Sequence, residues 1–252
     1  MSTRRPAVAG LFYPSDPDEL AATVDRLLRA APPGDRAPKA IVVPHAGYIY
    51  SGAIAASAYV RVPSTVTRVV LLGPAHRVAL EGIARPAADA FRTPLGEMPL
   101  ETAPIPGVIV DDRAHFEEHS LEVQLPFLQR LLDSFTLLPL LVGRAEPQAV
   151  AAVLDAVWGG DETLIVVSTD LSHYESYEVA NERDRVTAAA VMNCNADGIA
   201  PLDACGAYPL RGLLTTAPHH NLIPELVDLR NSGDTAGPRD RVVGYGAFAF
   251  AS

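Results

Sequence analysis

A chain of 252 residues, 48% hydrophobic and 20% charged, can bury a sizeable core and carries too little charge for wholesale disorder. Its formal net charge of −10, with no basic stripe, argues against nucleic-acid binding and against electrostatic docking on anionic lipid. The longest apolar runs, such as "LLPLLVG" and "TLIVV", are far too short for a membrane-spanning helix, and two cysteines make no disulfide framework.

The opening residues, "MSTRRPAVAGLFYPSDPDEL", set two arginines before a short apolar stretch. Pro6 and Pro14 bracket that stretch and an acidic helix start follows, which does not suit a signal peptide. A cytoplasmic location is expected. "SDPDELAATVDRLLRAA" predicts a helix with Ser15 and Asp16 as cap candidates and Leu20, Val24, Leu27 and Leu28 on one face. "AIVV" reads as a buried strand, "SGAIAASAYV" as a helix of small residues, and "RVVLLG" as a second buried strand. Residues 78–110, broken by five prolines, read as small strands and turns inserted at the sheet edge.

"EHSLEVQLPFLQRLL" predicts a helix that Pro126 kinks or divides. Next come a strand ("FTLLPLLVG"), a helix ("EPQAVAAVLDAVWG"), a buried strand ("ETLIVVSTD") and a helix ("ESYEVANERDRVTAAAVMN"). The chain closes on a helix within "CGAYPLRGLLTTA" and strands in "NLIPELVDLRNSGDTAG" and "RVVGYGAFAF". Continuous apolar strands alternating with helices define an α/β class with a largely parallel or mixed sheet covered on both faces. No repeat and no shift in composition divides residues 1–252, which read as a single domain.

Three of the seven histidines share one kind of place. His45 follows "IVVP", His76 follows "VVLLGPA" and His173 follows "LIVVSTDLS", each just past the carboxyl end of a predicted strand. Ligands of open α/β sheets bind in the crevice outside those ends. Imidazole is the commonest metal ligand and a base near neutral pH. One such histidine is more simply a strand cap; three in the same placement point to a site. Asp170 either accepts the second N–H of His173 or caps a following helix. Cys205, beside Gly206 and a helix start, is either an activated thiol or a small buried hydrophobe. Cys194 reads as the latter.

Glu118, His119 and Glu122 fall at a helix start, where capping explains the acidic residues and a site role is secondary. Their spacing is not that of a zinc protease. His115, His219 and His220 read as solvated. "GYGAF" lacks the lysine and the helix of a phosphate loop. Tyr48, Tyr50 and Tyr174 either line a pocket or pack beside the sheet.

Seven segments, "RRPAVAGLFYPSDPDEL", "VVPHAGYIYSGAIAASAY", "LLGPAHRV", "EEHSLEVQLPFLQ", "LLPLLVG", "VVSTDLSHY" and "CGAYPLRGLL", occur in the order seen in the Memo-like family. Bacterial and archaeal members of that family are also called AmmeMemoRadiSam system protein B. The resemblance spans nearly the whole chain. It implies a fold similar to the class III extradiol ring-cleavage dioxygenases, whose iron sits between two histidines and a carboxylate. Carried over by motif, it implies His45, His76 and Cys205 as metal ligands. His173 resembles the dioxygenases' acid/base histidine, with Asp170 beside it.

The cysteine at the carboxylate's place departs from the dioxygenase pattern. A thiolate is softer and brings copper(I), zinc or iron into contention, so dioxygenase activity does not follow from the fold. The resemblance thus implies a metal-dependent, redox-active protein holding one ion, iron or copper ahead of zinc. Its substrate is a small molecule or a protein, and its genomic company is a radical SAM protein and an AMMECR1-like protein. Two other readings use the same crevice: a non-enzymatic ligand- or peptide-binding module, and a zinc-type hydrolase. The second lacks an evident carboxylate base.

Overall fold

The computed structural model describes residues 2–252. In chain order the elements are β1 (Thr3–Arg4), α1 (Pro17–Ala30), β2 (Ala40–Val43), α2 (Tyr48–Tyr59), β3 (Arg68–Pro74), β4 (Ile83–Arg85), β5 (Ala90–Thr93), β6 (Gly96–Pro99), β7 (Val108–Val110) and α3 (Asp112–Phe116). They continue with α4 (Leu125–Leu131), β8 (Thr136–Val142), α5 (Pro147–Ala156), β9 (Thr163–Ser168), β10 (His173–Glu175), α6 (Tyr177–Met192), α7 (Ala207–Thr216), β11 (Ile223–Asn231) and β12 (Val242–Ala251).

Four strands, β2, β9, β3 and β8, form a parallel centre, paired in that order. Antiparallel margins flank it. β12 pairs with β2, β11 and β10 on one side, and β4 pairs with β8 on the other, with β7 outermost. Nine strands thus make one mixed sheet, as the α/β class predicts. The proline-broken stretch does lie at its edge. It supplies β4 and β7 there, and β5 and β6 join β1 in a separate three-stranded sheet.

The central strands read as unbroken apolar runs because both faces are buried, and their side chains divide by period two. Ile41, Val43, Val69, Leu71, Leu164 and Val166 face one core, packed by α1, α2 and α4. Ala40, Val42, Val70, Leu72, Ile165 and Val167 face the other, packed by α5, α6 and α7. Asp16 caps α1 by accepting from the amides of Asp18 and Glu19, and Pro17 opens its first turn. α2 is buried on most sides. Even a methyl at Gly52 would meet Leu27 at 2.9 Å, so small residues are what let α1 approach.

Pro126 divides its segment. A single 3-10 turn (Glu122–Gln124) leads into α4, and the proline sits in the first turn, where its missing N–H costs nothing. The residues before it, Glu117–Leu121, form a loop, not a helix. Glu122 is buried within this region. It accepts from the Arg4 guanidinium at 2.7 Å, the amides of Ala7 and Val8, and the Tyr13 hydroxyl.

His115 is not solvated. It is 2% exposed, and its Nε2 donates to the Ala84 carbonyl at 3.1 Å. His220 is half-buried, stacked on Trp158 and bonded to Asp155 at 2.9 Å, and only His219 is exposed as expected. Burial holds His115 down at about 4, with the Ala84 hydrogen bond opposing. The native state therefore excludes a proton that the unfolded chain takes up near 6.5. The resulting stability is complete above that pH and is lost as pH falls toward 4. The unfolding free-energy difference between wild type and His115→Gln, from urea titrations, is expected to shrink by about 2 kcal/mol from pH 7 to pH 5.

Candidate metal centre

The crevice lies outside the carboxyl ends of β2, β3 and β9. Pro44 ends β2 and delivers His45, which is 2% exposed. Asp170, just past β9, reaches back and accepts the His45 backbone N–H at 2.8 Å, fixing the turn after β2. The His45 ring has Nδ1 2.9 Å from Ser168 Oγ and Nε2 3.2 Å from the Cys205 sulfur. β3 delivers His76. Its ring Nδ1 lies 3.0 Å from Glu118 Oε1, and its backbone N–H donates to the same carboxylate at 2.5 Å. A carboxylate only accepts, so the His76 proton is on Nδ1 and its Nε2 is left for the crevice.

His119 completes the group. The ring centroids of His45, His76 and His119 are 4.7–5.5 Å apart, and one nitrogen from each lies within 4.8 Å of the others. Phe12 packs against the outer side of His119, with centroids 4.7 Å apart. His119 Nδ1 is buried without a hydrogen-bond partner; Glu118 Oε1, 3.3 Å away, is near it but not aligned for a bond.

Electrostatically, two of the imidazoles are kept neutral. Burial, reinforced by His76 and His119, holds His45 well below the usual histidine range. Burial holds His119 down at about 4 against the pull of Glu118. Glu118 goes the other way. Its burial is outweighed by the hydrogen bond and charge of His76 and by amide donors, so its carboxyl sits at about 2 and is ionised. Burial pushes Asp170 up to about 6, with the His45 amide and the His173 charge opposing.

Cys205 is half-buried at the start of α7. The Asp170 amide donates to its sulfur at 3.2 Å, and burial, then the Asp170 charge, pushes the thiol well above its usual range. The helix start at Gly206 does not activate it. Gly206 is needed for approach. A Cβ there would fall 2.6 Å from Thr169 Cβ and 2.8 Å from the Ser168 carbonyl. Cys194 lies at the edge of the second core with φ +48°.

His45 and His76, both expected at the site, therefore come together. Cys205 touches His45, but its sulfur does not join the mutual cluster, whose third member is His119. His173 lies on β10, a short strand paired with β12, and its Nδ1 donates to the Leu171 carbonyl at 2.8 Å. Asp170 neither accepts from that ring nor caps a helix; its carboxylate serves the backbone of His45. Tyr48 is packing, buried with its hydroxyl on the Val123 carbonyl, whereas Tyr174 is 63% exposed at φ +62°. Glu118 and His119 are legible as more than caps in one respect: "EEHSLEVQ" puts six polar side chains beside Leu121 and Val123, which are buried.

Fold and crevice define an α/β protein with a histidine cluster, at the carboxyl edge of its sheet, that could hold a metal ion. The Memo-like protein family model matches residues 4–249. A MEMO1 family protein of Aquifex aeolicus is 38% identical, covering 97% of this chain and 98% of its own length. Another from Methanosarcina barkeri is 34% identical over 97% and 98%. The chain belongs to the Memo-like family.

Because Gly206 lets the Cys205 turn lie against β9, Gly206→Ala is expected to destabilise the protein by about 1–3 kcal/mol through overpacking. It should also expose the sulfur. In a Cys194→Ser background, labelling of Cys205 by a thiol reagent should be several-fold faster than in the Gly206 protein.

Proposed function

We propose that the protein is a metal-dependent redox enzyme that holds one ion, iron or copper ahead of zinc, on His45 and His76 with Cys205 or His119 as third ligand. The observation carrying this is the gathering of three imidazoles, from two strand ends and one buried loop, within 4.8 Å. The donors suit a cation. Burial keeps His45 and His119 unprotonated, as ligation requires, and the buried His119 Nδ1 has no protein partner. A bound iron or copper ion would supply electron transfer at the crevice.

The chain's own residues take the remaining roles. Glu118 orients His76 and supplies negative charge to the site. The Leu171 carbonyl fixes the proton of His173 on Nδ1, leaving Nε2 as its basic atom and suiting His173 to move protons for a substrate. Asp170 sets the His45 turn instead of holding the His173 ring, and so acts as a positioning residue. Glu118 is too fully engaged to serve as a hydrolytic base, which leaves zinc-type hydrolysis the weaker reading. Among the described residues no helix is long and apolar enough to cross a membrane. The proposal extends to a cytoplasmic setting, beside the radical SAM and AMMECR1-like proteins that the family's bacterial name implies.

Elemental analysis of anaerobically purified protein is expected to find about one ion per chain, lost in His76→Ala. Retention in Cys205→Ser with loss in His119→Ala would make the cluster all-imidazole; the reverse would place the sulfur on the ion. Wild type free of metal even after reconstitution with iron, copper and zinc would refute the reading. His173→Ala should keep the metal and lose turnover.

A further inference from the structure

We infer that Ser168, ordered by Gln124, is a positioning residue that holds the His45 proton on Nδ1 and so keeps Nε2 bare toward the crevice. The inference deepens the metal-binding reading and rests on it for its consequence, but the proton's place follows from hydrogen-bond counting in the protein alone. Ser168 Oγ has three neighbours: the Ser120 carbonyl at 2.6 Å, Gln124 Nε2 at 2.8 Å and His45 Nδ1 at 2.9 Å. A hydroxyl has one proton and two lone pairs. The Ser120 carbonyl can only accept, so the Ser168 proton goes there.

The orientation of Gln124 is fixed in the same way. Its Nε2 also reaches the Pro44 carbonyl, at 2.9 Å, which only a donor can satisfy, and its Oε1 accepts from the Tyr59 hydroxyl at 3.0 Å. The amide therefore donates to Ser168. One lone pair of Oγ remains, and His45 Nδ1 must fill it as N–H. Ser120, Gln124 and Ser168 are each 0% exposed, so bulk water offers no alternative partner.

The consequence falls on Nε2. Facing the Cys205 sulfur at 3.2 Å and the other imidazoles, it is a bare lone pair, and the Cys205 S–H is the donor between them. Without the Ser168 acceptor the imidazole proton is free to move to Nε2, where the sulfur can accept it. A cation would then have to displace a proton from the ring before binding. Ser168 and Gln124 thus prepare His45 as a ligand, as Glu118 does His76.

The test uses chelator-treated, histidine-15N-labelled full-length protein. Long-range 15N–1H spectra of wild type should show His45 protonated on Nδ1. Ser168→Ala should show it on Nε2, and zinc, used as probe, should bind about 10–100-fold more weakly. A wild-type signal from Nε2–H overturns the inference whether or not the variant folds. So does a folded Ser168→Ala that keeps Nδ1–H, or one whose proton moves with no loss of zinc affinity. Wild type that takes up no zinc refutes the metal reading instead, and the metal-free spectrum still decides where the proton lies.

Discussion

Glu122 is a carboxylate with no exposure, placed between the N-terminal residues and the loop that carries Glu118 and His119. Ionised there alone it would cost several kcal/mol of desolvation. Arg4 at 2.7 Å offsets that cost, and two amides and the Tyr13 hydroxyl occupy the remaining lone pairs. Arg4 in turn donates to the carbonyls of His115 and Glu118. A non-helical stretch is thereby tied down at both ends. Its backbone geometry sets where His119 sits and which way Glu118 points. The residues of the first strand and turn hence support the site: Arg4 holds the Glu118 backbone and Phe12 packs against His119.

The sheet sets the other half of the geometry. β2 is four residues long, and β12 runs past its end. The chain leaving β9 fills the uncovered length: Leu171 and β10 bond to β12, and the turn between presents Asp170 to the amide of His45. One short strand therefore brings two segments together, the "PHAG" turn and the "STDLSH" turn, and Cys205 closes over them because Gly206 has no side chain. The parallel pairing of β2, β9 and β3 then guarantees that their carboxyl ends face one crevice.

The parts of this arrangement that were legible in the sequence are those governed by local pattern. Buried strands announce themselves as unbroken apolar runs, and a histidine directly after each of three runs has few bland explanations when they coincide. What stayed hidden depends on long-range pairing. His115 sits in a short polar helix yet is covered by the N-terminal strand, 111 residues away from it in the case of Arg4. His119 precedes a helix-like pattern of leucines, and no periodicity distinguishes a loop tethered to Glu122 from a capped helix start. Asp170 is three residues from His173, but the backbone donor it satisfies is 125 residues away. Cys205 does precede a helix start, but burial outweighs the helix there, and that depends on how closely Gly206 lets the turn approach β9.

Charge gives the crevice its bias. With His45 and His119 neutral and Glu118 ionised at about 2, Glu118 brings a negative charge to the crevice at neutral pH. A buried negative charge facing bare imidazole lone pairs favours a cation over water or an anion. In the proposed state, the charges of Glu118 and a Cys205 thiolate oppose that of a divalent ion, which lowers the cost of burying it. The thiol itself is neutral without an ion, because burial and Asp170 both oppose its ionisation. In the proposed state a cation on the sulfur would displace that proton, and Nε2 of His45 lies 3.2 Å from the sulfur.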